Sequence, residues 1–168
     1  LAGGLKFLAF GLFAKTFGAD ILLLLQERYK FDAPTGSFDA LYSVFAYSFV
    51  IYYDFWAYSI MAIGLARLFG IELPRNFREP YVSFSPKEFW RNWHITLSYW
   101  IRDYLYIRLG GNRRYVANIT FAFLVTGLWH GAGLNFLAWG LYHAALVIAY
   151  HLARPMWDRL PRPVGIAL

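Results

Sequence analysis

Two apolar segments joined by a short break make up residues 115–150, YVANITFAFLVTGLWHGAGLNFLAWGLYHAALVIAY. The break contains His130, Gly131, Ala132 and Gly133. Arginines flank the stretch on both sides: Arg113, Arg114, Arg154, Arg159 and Arg162. Because basic residues stay on the cytoplasmic side of a membrane, both ends are expected there. The stretch therefore predicts a transmembrane helical hairpin at about residues 115–151, with His130 at the far turn.

The depth of His130 follows from the length of the first segment. Residues 115–129 rise about 22 Å as a helix, at about 1.5 Å per residue. That length is less than the ~30 Å of a bilayer core. We therefore expect His130 to lie within the membrane thickness, towards the far side.

The composition of the whole chain agrees with a membrane protein. Apolar residues make up 59% and charged residues 15%, whereas soluble domains have about 25% charged residues. The chain has no cysteine, which excludes disulfides and thiolate chemistry. The net charge of +6 is clustered, so it indicates orientation in a membrane rather than nucleic-acid binding. The first residue is Leu1 and no signal peptide is recognisable, which suggests a start within a longer protein.

Two further helical regions precede the hairpin. Residues 1–25 are apolar but interrupted by Lys6, Lys15 and Asp20, which predicts a helix packed in a bundle or lying in the interface. Residues 40–65 form the clearest span, with one charge at Asp54. A carboxylate at that depth is costly, so Asp54 is expected to face the protein interior or water and to have a partner.

A third helical region before the hairpin is predicted at about residues 86–108. Ser85, Pro86 and Glu88 match a capping box with proline at the first helical position, and Gly110 with Gly111 would stop the helix. Charges near both ends leave only ten free residues, about 15 Å of rise. The helix is therefore expected to be interfacial or re-entrant. The predicted fold is an all-α, polytopic and partial membrane helical bundle, with residues 1–168 as a single membrane domain.

Two histidines are candidates for chemistry. A histidine at membrane depth is expensive, and a neutral imidazole kept uncharged by burial can act as a general base. A structural histidine that bonds a freed carbonyl is the equally weighted alternative for His130. His94 falls on a predicted aromatic face with Trp90, Trp93 and Leu97, and by itself it is better explained as an interfacial residue. His143 and His151 are interpreted as packed and interfacial residues. These patterns leave a general base, bis-histidine haem ligation and a proton-coupled transporter using Asp54 open.

Several motifs carry a family resemblance. They are Tyr53-Asp54-Phe55, residues 61–70, residues 73–77, Glu88-Phe89-Trp90-Arg91-Asn92-Trp93-His94-Ile95-Thr96-Leu97-Ser98, residues 102–107 with 109–113, and Gly127-Leu128-Trp129-His130-Gly131-Ala132. In this order they resemble the membrane-bound O-acyltransferase (MBOAT) family, and especially its bacterial members that acetylate alginate and related polysaccharides. The resemblance extends from about Gly11 to His143 and corresponds to the C-terminal part of longer members.

The resemblance implies a set of roles. His130 and His94 would be the catalytic histidines, and the substrate-binding residues would be Trp129, Trp93, Trp90, Asn92 and Asp54. The expected donor is cytoplasmic acetyl-CoA or a similar acyl donor, taken as a substrate, with no bound cofactor and no metal. The expected partners are membrane lipid and an extracytoplasmic acetyl-transfer protein, in a bacterial inner membrane.

Overall fold

A computed structural model describes residues 2–28 and 36–157 of the chain, and the described residues are helical with no strand. The all-α prediction is confirmed. The α-helices are α1 (Ala2–Phe13), α2 (Ile21–Arg28), α3 (Ser37–Leu68), α4 (Pro86–Asn92), α5 (Ile95–Ile101), α6 (Tyr115–His130) and α7 (Leu134–Trp157). Two π-helical segments, Ala14–Asp20 and Arg102–Tyr106, and two 3-10 turns, Pro80–Val82 and Gly111–Arg114, complete the described elements.

Three helical segments of the described chain are long and apolar enough to cross a membrane. They are Ala2–Glu27, Ser37–Leu68 and Leu134–Met156. Helix α6 has 16 residues and is absent from this set. The predicted span at residues 40–65 is confirmed. The polar connection predicted at residues 26–38 lies largely outside the described residues.

The described residues form two compact units, residues 1–76 and 77–168. In the first unit, α1 packs closely on α3 because glycines face each other. A Cβ placed on Gly64 would lie 2.7 Å from the backbone nitrogen of Leu8. Ala57 on the same helix is fully buried. Small residues of α3 therefore permit close contact with α1.

A three-residue ion-pair cluster joins the first helical segment to α3. The ammonium of Lys15 lies 2.7 Å from a carboxylate oxygen of Asp20 and 2.6 Å from one of Asp54. The π-helical segment that follows α1 contains both Lys15 and Asp20. The expected partner of Asp54 is therefore Lys15. Of the three charged residues within residues 1–25, Lys15 and Asp20 are paired with each other.

In the second unit, the helical hairpin predicted at residues 115–151 forms from α6 and α7. The two helices approach closely at glycines, because a Cβ on Gly127 would meet the carbonyl oxygen of Phe136 and a Cβ on Gly140 would meet that of Phe123. The orientation of the hairpin in a membrane stays a prediction, as does the single membrane domain over residues 1–168.

The start of α4 agrees with the sequence. The Ser85 hydroxyl accepts a hydrogen bond from the Glu88 N–H at 3.1 Å, and Pro86 occupies the first turn. The Glu88 carboxylate accepts from the Phe84 N–H at 2.9 Å. The stop at Gly110 and Gly111 is also confirmed, since both have positive φ angles.

The prediction of one continuous helix at about residues 86–108 is wrong. The chain breaks at Trp93 and His94, between α4 and α5, with His94 in the left-handed conformation at φ 43° and ψ 56°. The Ser98 hydroxyl donates to the carbonyl oxygen of Trp90 at 3.3 Å, which satisfies a group that the break frees from the helical pattern. Because the helix is interrupted there, the predicted aromatic face with Trp90, Trp93 and Leu97 does not continue along one helix.

Candidate active site

His130 is the last residue of α6, at the connection to α7. The Gly131 N–H still donates to the carbonyl of Gly127 at 3.2 Å, and Gly131 then adopts an extended backbone that ends the helix. The His130 side chain is exposed among the described residues. The burial of His130 within the thickness of a membrane stays a prediction.

Aromatic rings surround His130 on two sides. Its ring centroid lies 4.9 Å from that of Trp129 and 5.0 Å from that of Trp139, both edge to face. Phe136 stacks on it at 6.2 Å. A Cβ on Gly131 would collide with the Phe136 ring. The small residue at position 131 therefore makes room for the Phe136 ring.

His94 reaches the same aromatic group from the break between α4 and α5. Its ring lies 5.6 Å from that of Trp129, which therefore contacts both histidines. Burial, together with the nearby His130 ring, lowers the pKa of His94 to about 4. His94 is therefore neutral at pH 7, and a neutral imidazole offers one N–H donor and one nitrogen acceptor.

The left-handed backbone of His94 gives a prediction that separates folding from activity. In that conformation a side chain costs roughly 1–2 kcal/mol, and glycine avoids the cost. We expect the His94→Gly variant of the full-length protein to be more stable than His94→Ala by about 1 kcal/mol. Both variants lack the imidazole, so any activity that depends on this ring should fall equally in both. Denaturant titration in detergent beside an activity assay checks this; an alanine variant as stable as the glycine variant would contradict the left-handed break.

The other predicted residues are distributed more widely. Trp90 contacts Trp139, with 5.7 Å between the two ring centroids. It thereby joins the group of rings around His94 and His130, which we call the ring cluster. Trp93 instead packs on Phe77 and Phe89, at 5.1 and 5.6 Å.

Asn92 has a structural contact within the second unit. The side-chain amide of Asn92 donates to the Ser83 hydroxyl at 3.2 Å. Its backbone carbonyl accepts from the Arg78 N–H at 3.0 Å. Asp54 belongs to the first unit, where it pairs with Lys15. The substrate-binding roles assigned to Trp129, Trp93, Trp90, Asn92 and Asp54 stay predictions.

The sequence interpretation missed one member of the ring cluster, Trp139, whereas His143, which it interpreted as a packed residue, packs against that ring. The His143 ring is half-buried and lies 4.7 Å from Trp139 and 4.9 Å from Trp90. Phe136, Trp139 and His143 recur at steps of three and four along α7, which places them on one helix face. That spacing was visible in the sequence. Among the described residues, no group of three or more His, Cys, Asp or Glu side chains could hold a metal ion.

The long apolar helices define a polytopic membrane protein. The two histidine rings that contact the Trp129 indole form a candidate acid–base centre. Comparison with known proteins narrows this class. The model of the membrane-bound O-acyltransferase family matches residues 37–162. The chain therefore belongs to that family and is an integral membrane protein.

Curated relatives agree with the assignment. The chain is 40% identical to a probable alginate O-acetylase AlgI of Pseudomonas fluorescens, over 93% of this chain and 30% of the relative. It is 43% identical to a peptidoglycan O-acetyltransferase of Helicobacter pylori, over 91% of this chain and 30% of the relative. It is 36% identical to a teichoic acid D-alanyltransferase of Bacillus subtilis, over 64% of this chain and 30% of the relative. The chain thus spans about three tenths of the length of these relatives.

Proposed function

We propose that the full-length protein is a membrane O-acyltransferase. It moves an acetyl group from a cytoplasmic donor such as acetyl-CoA to a hydroxyl of an extracytoplasmic polysaccharide such as alginate. The observation that carries the proposal is the approach of His94 and His130 to the same indole, Trp129, in a chain of this family. The names of the relatives support acyl transfer to polymers of the cell envelope.

In the proposed reaction His130 is the general base. Its neutral imidazole takes the proton of the acceptor hydroxyl while the oxygen attacks the thioester carbonyl of the donor. The tetrahedral intermediate then expels the thiolate, and the imidazolium of His130 returns the proton to the sulfur. The products are the O-acetyl ester and the free thiol. The exposed edge of His130 at the end of α6 is compatible with direct access of an acceptor to the ring.

His94 has a different proposed role. Because it is neutral at pH 7, its N–H can donate a hydrogen bond to the acceptor or to the developing oxyanion. A pKa lowered to about 4 makes His94 a weaker base than an ordinary histidine, which suits a hydrogen-bond donor better than a proton acceptor.

Aromatic side chains supply the apolar surroundings of this reaction. Trp129 contacts both histidines, and Trp90 joins the cluster through Trp139. Exclusion of water protects a thioester from hydrolysis and strengthens hydrogen bonds to developing charge. An extracytoplasmic acetyl-transfer protein would receive or pass on the acetyl group, and a bacterial inner membrane is the proposed location.

The decisive test is donor dependence. Membranes that contain the full-length protein are incubated with acetyl-CoA labelled in the acetyl group, and the label in extracytoplasmic polysaccharide is measured. We expect transfer that requires the donor and saturates with it. Membranes from cells that lack the protein are the control. Solute or proton flux without any label transfer would instead support the transporter alternative and overturn the proposal.

A further inference from the structure

The indole of Trp139 connects the candidate base to the rest of the ring cluster. Its ring centroid lies 5.0 Å from that of His130, and the two ring planes meet at 74°. Aromatic rings favour this edge-to-face arrangement at centroid distances of about 4.5–7 Å. His130 belongs to α6 and Trp139 to α7, so the contact joins the two helices of the hairpin. The indole is therefore placed to restrict how the imidazole turns.

The backbone that carries Trp139 is held against α6. Gly140, the next residue, approaches α6 so closely that a Cβ there would meet the carbonyl oxygen of Phe123. About one turn before Trp139, the carbonyl oxygen of Phe136 lies where a Cβ on Gly127 of α6 would be. Because the two backbones approach closely on either side of Trp139, this residue cannot move away from α6 unless the hairpin separates.

Two other rings hold the indole itself. Trp90 of α4 meets it at 5.7 Å, with the ring planes at 88°, and His143 meets it at 4.7 Å from one turn further along α7. Trp90 also contacts Phe123 of α6 at 5.1 Å. Trp139 thus packs on rings from α4, α6 and α7. A ring with contacts on several helices has few alternative orientations.

The other rings near His130 are less suited to restrain it. Trp129 is the residue before His130 on α6 and is 59% exposed, so its ring moves together with the helix end that carries the imidazole. Phe136 of α7 lies further away, at 6.2 Å. Trp139 is closer than Phe136 and is anchored on a different helix from His130. It is therefore the ring that can fix the imidazole relative to α7.

We propose that Trp139 is a positioning residue, whose indole holds the His130 imidazole in the orientation from which it takes the proton of the acceptor hydroxyl. This role rests on the proposed function of His130 as the general base. A general base must come within hydrogen-bond reach of the proton, about 2.6–3.2 Å between heavy atoms. A small misplacement of reacting groups costs a large factor in rate. The indole contributes the orientation of the base and does not touch the reacting atoms.

The first test is the steady-state kinetics of acetyl transfer by the full-length protein. Trp139→Leu removes the ring and should lower kcat roughly tenfold, with the KM for the donor nearly unchanged. Trp139→Phe restores an aromatic edge and should keep kcat within about threefold of the wild type. A rise in KM alone, or the same kcat in all three proteins, would overturn the proposal.

Trp100→Leu is the matched control, because it makes the same change at another tryptophan. Trp100 on α5 is 51% exposed, and among the described residues its ring stacks on Tyr104 at 5.4 Å. We expect this variant to keep the wild-type kcat. An equal loss in Trp100→Leu and Trp139→Leu would overturn the positioning role, because the effect would then not depend on contact with His130.

A spectroscopic readout separates this proposal from the proposed function. Histidine isotopically labelled at Cε1 is incorporated into the full-length protein, and the nuclear magnetic resonance signal of His130 is identified by its absence from His130→Ala. In Trp139→Leu this signal should move and broaden, because the ring then samples more than one orientation. An unchanged signal would overturn the positioning role. A wild type that transfers no acetyl group would overturn the proposed function, and the signal would still decide whether Trp139 holds the ring.

A measurement on the unaltered protein remains decisive if Trp139→Leu does not fold. A nuclear Overhauser effect between the His130 Cε1 proton and an indole proton is expected from the edge-to-face contact. The part of this effect that belongs to Trp139 should disappear in Trp139→Phe, which keeps an aromatic ring at the position. If Trp139→Phe left the effect unchanged, the contact on which the proposal depends would be wrong.

Discussion

The His130→Ala variant of the full-length protein should transfer acetyl groups roughly 10²- to 10⁴-fold more slowly than the wild type, which is the usual contribution of a general base. The substitution removes the only imidazole at the end of α6, between Trp129 and Trp139. Because the His130 side chain is exposed, its truncation leaves little unfilled space. Transfer of labelled acetyl groups in membranes, beside the amount of inserted protein, measures both effects.

His151→Ala is the matched control for that experiment. His151 belongs to the same hairpin but stacks on Tyr115 at 4.0 Å, near the opposite end of α6. We expect it to keep most of the wild-type activity. Wild-type transfer by the His130 variant would exclude His130 as the general base. An equal loss of transfer in both variants would indicate general damage to the hairpin.

The Gly140→Ala variant should have a lower free energy of unfolding than the wild type, by about 1–3 kcal/mol, the usual cost of overpacking. A Cβ at this position would press on the backbone of Phe123 and Leu124, which cannot rotate away as a side chain can. The α6–α7 hairpin would have to separate locally. Because that hairpin carries His130 and Trp139, activity should fall together with stability. Thermal unfolding in detergent and the acetyl-transfer assay measure the two effects.

The control for Gly140 is another glycine within a helix. Gly3 in α1 has no atom within 4 Å of the position that a Cβ would occupy. Alanine is favoured over glycine inside a helix by about 0.5–1 kcal/mol, so Gly3→Ala should be neutral or stabilising. If Gly140→Ala were equally harmless, the close approach of α6 and α7 would be wrong.

Continuous apolar stretches and local capping motifs predicted much of the fold. Apolar length located α3 and the hairpin, and the cost of a charge in an apolar helix predicted a partner for Asp54. The capping residues located the start of α4, because Ser85, Pro86 and Glu88 act through neighbouring backbone groups. Such signals depend on local physics, so they can be recognised without a structure.

The break at His94 could not be predicted in the same way. No glycine or proline marks it, and the heptad-like spacing of Trp90 and Leu97 continues through it. Packing of Trp93 on Phe77 and the bond from Ser98 to Trp90 accompany the break, and both involve residues several positions apart. His143 is packed, as the sequence predicted, but its aromatic neighbours could not be named because they come from α4 and α6 as well as from its own helix.

The cluster of Lys15, Asp20 and Asp54 has a consequence for how the chain enters the bilayer during synthesis. Lys15 and Asp20 neutralise each other within the first helical segment, so that segment can be inserted before α3 has been made. Asp54 is made later, and its carboxylate then shares the Lys15 ammonium with Asp20. The order of the charges along the chain therefore matches the order of translation, and α3 is captured by a helix that precedes it.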